Sequence, residues 1–212
     1  MKPPITRSFA ALVGLVAWFA LLLQYGLLIA MTWSDVGPLF GTLRYFSFFT
    51  ILSNLLVALT ATFAALPVRS AIADFFRASR VRGAAALCIA VTCGIYFVLL
   101  ASTWAPQGAQ LLADVLLHYV DPALYVGWWI ACAGHGRLAW SDALRWLLFP
   151  LGFLAWTLVR GAWLHEYPYP FVDVDALGFG TVARNALGLG ALFLAAGWSL
   201  VAFDRMAGRR LQ

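Results

Sequence analysis

A histidine sits in the middle of an apolar run, LLADVLLHYVDPALYVGWW, with an aspartate on either side of it. Asp114, His118, Asp121 and Tyr125 follow one another at spacings of four, three and four. On a helix turning through roughly 100° per residue they share a face about 60° wide. A second apolar run, RYFSFFTILSNLL at 44–56, carries Arg44, Ser47, Thr50, Ser53 and Asn54. Read as one helix, it sets Ser47, Thr50 and Asn54 within about 60° of one another, with Ser53 further round. A hydroxyl beside an imidazole is the core of nucleophilic acyl transfer. The imidazole takes the hydroxyl proton, and the oxygen attacks an ester or amide carbonyl. Asp114 or Asp121 would orient the imidazole and stabilise its charged form. Arg160, Arg184, Asn54 or Asn185 would donate to the developing oxyanion. Other chemistry fits the same residue types. Asp114, His118 and Asp121 are zinc-ligand types, although one helix does not supply a whole site. Carboxylates and imidazoles inside a membrane also build proton relays and transport pathways, and single hydroxyls bond to their own backbone.

These residues need elements that position them, and composition names the elements. Of 212 residues 63% are hydrophobic and 11% charged, more apolar surface than a soluble domain can hide. The apolar runs are continuous and do not alternate, which argues for helices and against a β-barrel. The reading is an all-α, polytopic bundle of six transmembrane helices in one domain, 1–212. The spans fall at 8–31, 45–66, 84–103, 112–133, 142–162 and 181–204. The first apolar run, 9–31, is longer than the core of a signal peptide and reads as a retained span. Cys88, Cys93 and Cys132 all fall within spans without a Cys-x-x-Cys pair, so they read as packed thiols.

The net charge of +5 does not mark a nucleic-acid binder, because the basic residues sort by side of the membrane. Lys2, Arg7, Arg69, Arg77, Arg80, Arg82, Arg137, Arg145, Arg205, Arg209 and Arg210 fall on one side. Asp35, Asp114, Glu166, Asp173 and Asp175 fall on the other. The positive-inside rule then puts both termini in the cytoplasm. Arg44, Arg160 and Arg184 are left near the outer ends of the second, fifth and sixth spans. Ser47, Thr50 and His118 lie roughly 5–9 Å below the outer ends of theirs, at 1.5 Å per residue. Arg160, Arg184 and Asn185 belong to the same layer, and Tyr96 of the third span is a further member. The polar residues are therefore expected to face one pocket in the outer half of the bundle.

Three segments carry a resemblance: GTLRYFSFF at 41–49, DVLLHYVDP at 114–122 and WLHEYPYPFVD at 163–173. In this order, and with this six-helix layout, the chain resembles the androgen-induced-type integral membrane hydrolases. It is most similar to their bacterial relatives, the Pr6Pr family of membrane proteins. The resemblance covers nearly the whole chain. It implies an intramembrane threonine and histidine that cleave fatty acid esters of hydroxy fatty acids. The histidine falls on His118. In an ungapped register the threonine falls on Ser47, which is the favoured nucleophile, with Thr50, one turn deeper on nearly the same face, as the second candidate.

The reading calls for a lipid or fatty-ester substrate entering from the outer leaflet, surrounding membrane lipids as neighbours, and no metal or cofactor. A bacterial inner membrane follows from the resemblance. His135, in AGHGRLAW, is expected to be a solvated cytoplasmic loop residue. His165 and the Asp-x-Asp at 173–175 lie in an outer loop rich in aromatics and proline. That loop reads as a solvated acidic segment, and as an interfacial belt or a lid over the pocket.

Overall fold

The computed structural model describes residues 3–209, so Lys2 and Arg210 lie outside the described residues. Every regular element among them is helical. The first, α1 (Pro3–Thr32), is followed by α2 (Gly37–Tyr45), α3 (Phe49–Ala65), the short α4 (Ala71–Arg77) and α5 (Ser79–Ile95). Next come α6 (Gly108–Val115), α7 (Asp121–Cys132), α8 (Trp140–Trp146), α9 (Leu148–Leu164), the single turn α10 (Val174–Leu177) and α11 (Phe179–Arg209).

Among the described residues four helices are long and apolar enough to cross a membrane: Ile5–Thr32, Ser79–Leu100, Trp140–Leu164 and Phe179–Arg209. The bent pair α2 and α3 passes the same test taken together, which makes five if it counts as one span. The expected helix over 45–66 is not continuous. It is bent by 75° between Tyr45 and Phe49, where Phe48 is extended. The segment from Gly108 to Cys132 is unbroken and as long as the others, yet it is not among the apolar crossings. It is the helix with His118 and both aspartates, and those groups are what lower its hydropathy.

Small residues set the packing. Ala10, Val13, Ala17 and Ala20 line one face of α1, and Val57, Ala58 and Ala61 line α3, all fully buried. Close helix approach of this kind gains dispersion energy where lipid offers no hydrophobic drive. Many large apolar side chains face outward: Leu15, Leu22, Val159 and Leu187 are each about two-thirds exposed or more. That is the pattern of a surface solvated by acyl chains.

One end of the bundle is closed by an aspartate. Asp204 on α11 is buried, and its Oδ2 accepts from the backbone N–H of Gly136, Arg137 and Leu138 at 2.9–3.0 Å. Its Oδ1 lies 3.1 Å from His135 Nδ1, while His135 Nε2 faces the Ile130 carbonyl at 2.8 Å. His135 is therefore not the solvated loop residue expected. Its side chain is 7% exposed, because the loop folds back against α11. The fold-back needs glycine on both sides, since a Cβ at Gly208 would stand 2.4 Å from the Cα of Gly136. Removing the Asp204 carboxylate leaves the Arg137 and Leu138 amides without an acceptor and takes away the partner of His135 Nδ1, while the Gly136 amide keeps the Asp204 backbone carbonyl at 3.0 Å. Asp204→Ala should cost about 3 kcal/mol. A clear fall in the unfolding midpoint in detergent micelles is expected, and an unchanged midpoint would refute the clamp.

Candidate functional site

The site is built on an irregularity of the helix that carries His118. Pro122 has no amide hydrogen, so the His118 carbonyl loses the partner four residues on. The chain responds with a π turn over Leu116–Val120, in which the Asp121 amide bonds back five residues to Leu116. The Leu117 carbonyl is thereby deprived of the Asp121 amide. Asn54 on α3 takes its place, with Nδ2 3.2 Å from Leu117 O and 2.8 Å from Thr50 O. A second π turn, Tyr96–Leu100, extends α5 beside the first. Widened turns of this kind re-aim side chains and recur at functional sites.

The two turns bring Tyr96 and His118 face to face. Their rings stack with centroids 3.7 Å apart and planes 11° from parallel. The Tyr96 hydroxyl lies 2.7 Å from both oxygens of Asp114 and accepts from Trp104 Nε1 at 3.1 Å. His118 Nδ1 is 3.0 Å from the Asp114 carbonyl oxygen and 3.1 Å from Asp114 Oδ1. Both are acceptors, so Nδ1 carries the hydrogen in the neutral ring and Nε2 is bare. Nε2 points at Thr50 Oγ1, 3.3 Å away. Asp114 is buried, and the His118 side chain is 12% exposed. The arrangement is a hydroxyl, a base and an orienting carboxylate in sequence.

The bend before α3 decides which hydroxyl this is. Thr50 is the second residue of α3, at the end where the helix dipole favours negative charge. Ser47 lies within the bend, so the common face expected for Ser47, Thr50 and Asn54 does not exist. Its hydroxyl donates to Leu43 O at 2.7 Å and accepts from Trp156 Nε1 at 3.2 Å. The structure brings Thr50 to His118 and leaves Ser47 engaged elsewhere.

The expected oxyanion donors are also elsewhere. Asn54 is spent on backbone carbonyls. Arg160 bonds to Glu166, Asn185 donates to the Phe171 carbonyl at 2.9 Å, and Arg184 is exposed. The group that does reach Thr50 is Tyr169 of the loop after α9. Its hydroxyl accepts from the Thr50 amide at 3.3 Å and lies 3.5 Å from Thr50 Oγ1. Asp121 is fully buried, and neither of its oxygens has a hydrogen-bond partner. Among the described residues no group of three or more His, Cys, Asp and Glu side chains is arranged to hold a metal ion, so the zinc reading has no ligand set.

Two cavities meet at this point, and Thr50, Tyr96, Leu100 and Tyr169 line both. One, of about 380 Å³, holds His118 and Asp114 and reaches Gln24, Thr103 and Gln110. The other, of about 110 Å³, is lined mostly by apolar side chains, from α5, α9 and α11 and from Phe49, Phe171 and Val172.

Tyr169 is held in place by a clasp on the same loop. Glu166 accepts from Arg44 Nη2 at 2.5 Å and from Arg160 Nη2 at 2.6 Å, and Arg160 Nη1 donates to its backbone carbonyl. Beside it Gly161 leaves room for the Tyr167 ring, whose nearest atom would be 2.1 Å from a Cβ there. The loop is thus a structured cover. His165 and Asp175 on its outer side are exposed and paired at 2.9 Å.

Hydrogen bonding to Arg44, and then to Arg160, holds the Glu166 carboxyl below its ordinary value of 4.5. A depressed carboxylate contributes stability in full above that ordinary value and loses it as pH falls through the depressed one. Amide hydrogen exchange across 165–172, referenced to Glu166→Gln at each pH, should show protection that is lost on acidification below about pH 4. Protection that ignores pH over this range would rule the clasp out.

The chain matches no family model, and no curated protein or solved structure is significantly similar to it. Its chemistry therefore rests on the geometry of these side chains.

Proposed function

We propose that the protein is an intramembrane hydrolase of lipid-like carboxylic esters, with Thr50 as nucleophile and His118 as base. The observation that carries this reading is the 3.3 Å approach of Thr50 Oγ1 to the unprotonated nitrogen of a histidine whose other nitrogen faces Asp114. The Thr50 proton passes to His118 Nε2 as Oγ1 bonds to the ester carbonyl carbon. The Tyr169 hydroxyl, polarised by the Thr50 amide, donates to the carbonyl oxygen as it takes up charge. The carbon–oxygen bond to the alcohol breaks, and His118 Nε2 returns the proton to the leaving oxygen. Water then gives a proton to Nε2 and attacks the acyl-threonine. The acid leaves, and Thr50 regains its proton. Asp114 and the stacked Tyr96 ring stabilise the imidazolium of each half-reaction.

The two cavities suit a substrate with a chain on each side of the ester, as expected for fatty acid esters of hydroxy fatty acids. In this reading the chain is a member of the androgen-induced-type and Pr6Pr hydrolases. It crosses a bacterial inner membrane six times, with Gly108–Cys132 as the fourth crossing and both termini in the cytoplasm. The segregation of arginines supports that orientation. Asp121 favours a second reading. A fully buried carboxyl with no partner, three residues beyond His118, suits a proton relay or transporter.

Fluorophosphonate labelling of the purified protein separates the two. Wild type is expected to label at Thr50. Thr50→Ala and His118→Ala should lose at least about a hundredfold in rate, and Tyr169→Phe about tenfold to a hundredfold. Ser47→Ala should stay within about threefold of wild type, as a residue outside the reacting set does. A label that survives Thr50→Ala and vanishes in Ser47→Ala would overturn the assignment. A folded wild type that neither labels nor cleaves lipid esters, yet carries protons across liposomes, would establish the relay.

A further inference from the structure

We infer that Arg44 and Arg160 form a binding site for a single anionic group, a carboxylate or phosphate, at the head of an amphiphile. The site is a cavity of about 330 Å³ separate from the two that meet at Thr50. Its polar lining is Arg44, Arg160 and Glu166, and its walls are Val36, Phe40, Leu43 and Leu164.

The charges there do not balance. Two guanidiniums converge on one carboxylate, and no second acidic side chain forms an ion pair with either of them among the described residues. One positive charge is left over in a place where it is costly. The Arg160 side chain is only 5% exposed, and its Nε has no hydrogen-bond partner. Tethering the loop needs one arginine for one glutamate. The second makes sense if another anion completes the cluster, since buried charges persist when paired and bonded.

The surroundings name the ligand class. The apolar walls exclude a purely hydrated ion as the best fit. Leu39, Val159 and Trp163, neighbours in sequence of the lining residues, are each at least two-thirds exposed and face outward. A charged head seated between the arginines leaves its chain lying along that apolar surface, as lipid-facing arginines hold headgroups elsewhere. This inference does not rest on the hydrolase reading, since none of the residues it uses reacts.

The test is binding to the purified protein in dodecyl maltoside, with dodecanoate, dodecyl phosphate, dodecanol and inorganic phosphate as probes. Both anionic amphiphiles should bind about tenfold or more tightly than dodecanol, and inorganic phosphate should not displace them at equal concentration. Arg44→Gln brings the cluster to neutrality and should abolish the preference. Glu166→Gln adds a positive charge and should strengthen anion binding several-fold, by about the change in one charge pair. A cluster that only tethers the loop predicts no such gain. Equal affinity for dodecanol and dodecanoate, or a preference untouched by both variants, would overturn the site. Displacement by inorganic phosphate would overturn the amphiphile in favour of a free anion.

Discussion

A proline cannot donate a hydrogen bond, and most of this site follows from where that fact falls. Pro122 withholds an amide from the carbonyl of His118, and the helix widens into a π turn to accommodate the loss. The widened turn leaves the Leu117 carbonyl open to Asn54, which in the same stroke holds the Thr50 carbonyl. In a lipid-facing bundle no water is at hand to satisfy a freed carbonyl, so a neighbouring helix must do it. The defect in one helix thus becomes the bond that sets the helix of Thr50 against the helix of His118.

The same economy of polar groups runs through the surroundings of His118. Asp114 receives the Tyr96 hydroxyl and faces His118, and Tyr96 in turn receives Trp104. Each member orients the next, and the result is a definite tautomer of His118 with its bare nitrogen on Thr50. The loop after α9 is fastened by Arg44 and Arg160, which lets Tyr169 reach the start of α3. At the other end of the bundle Asp204 performs a purely structural version of the task, gathering three loop amides. Thr50 and Asp204 differ in what surrounds them: the former borders two cavities, and the latter is sealed by glycine-to-glycine contact.

The helical class was legible in the chain because every apolar run exceeds the length a strand needs and shows no alternation. His118 and Asp114 were legible for a related reason. Polar groups are so expensive in an apolar helix that their mere presence marks them, and a spacing of four sets them on one face. Tyr169 and Glu166 were not legible as site residues. A tyrosine and a glutamate in an outer loop look like interfacial ornament until the loop's path is known, and that path depends on two arginines from different helices. The π turn did leave a signal, a proline four residues after the histidine. Its consequence, the link from Asn54 to Leu117, requires the facing helix.

The sequence by itself determined an all-helical, lipid-exposed chain with an imidazole and a carboxylate one turn apart, since those properties are set by composition and by a local period. Only the tertiary structure set Thr50, and not Ser47, against His118. The choice turns on a 75° bend at Phe46–Phe48, among residues as apolar as those of the helices around them. No glycine or proline announces it. Tyr45 donates to the Leu21 carbonyl on α1, Trp156 of α9 reaches Ser47, and Arg44 is drawn to Glu166. Contacts from three separate parts of the chain hold the bend, and a local reading has access to none of them.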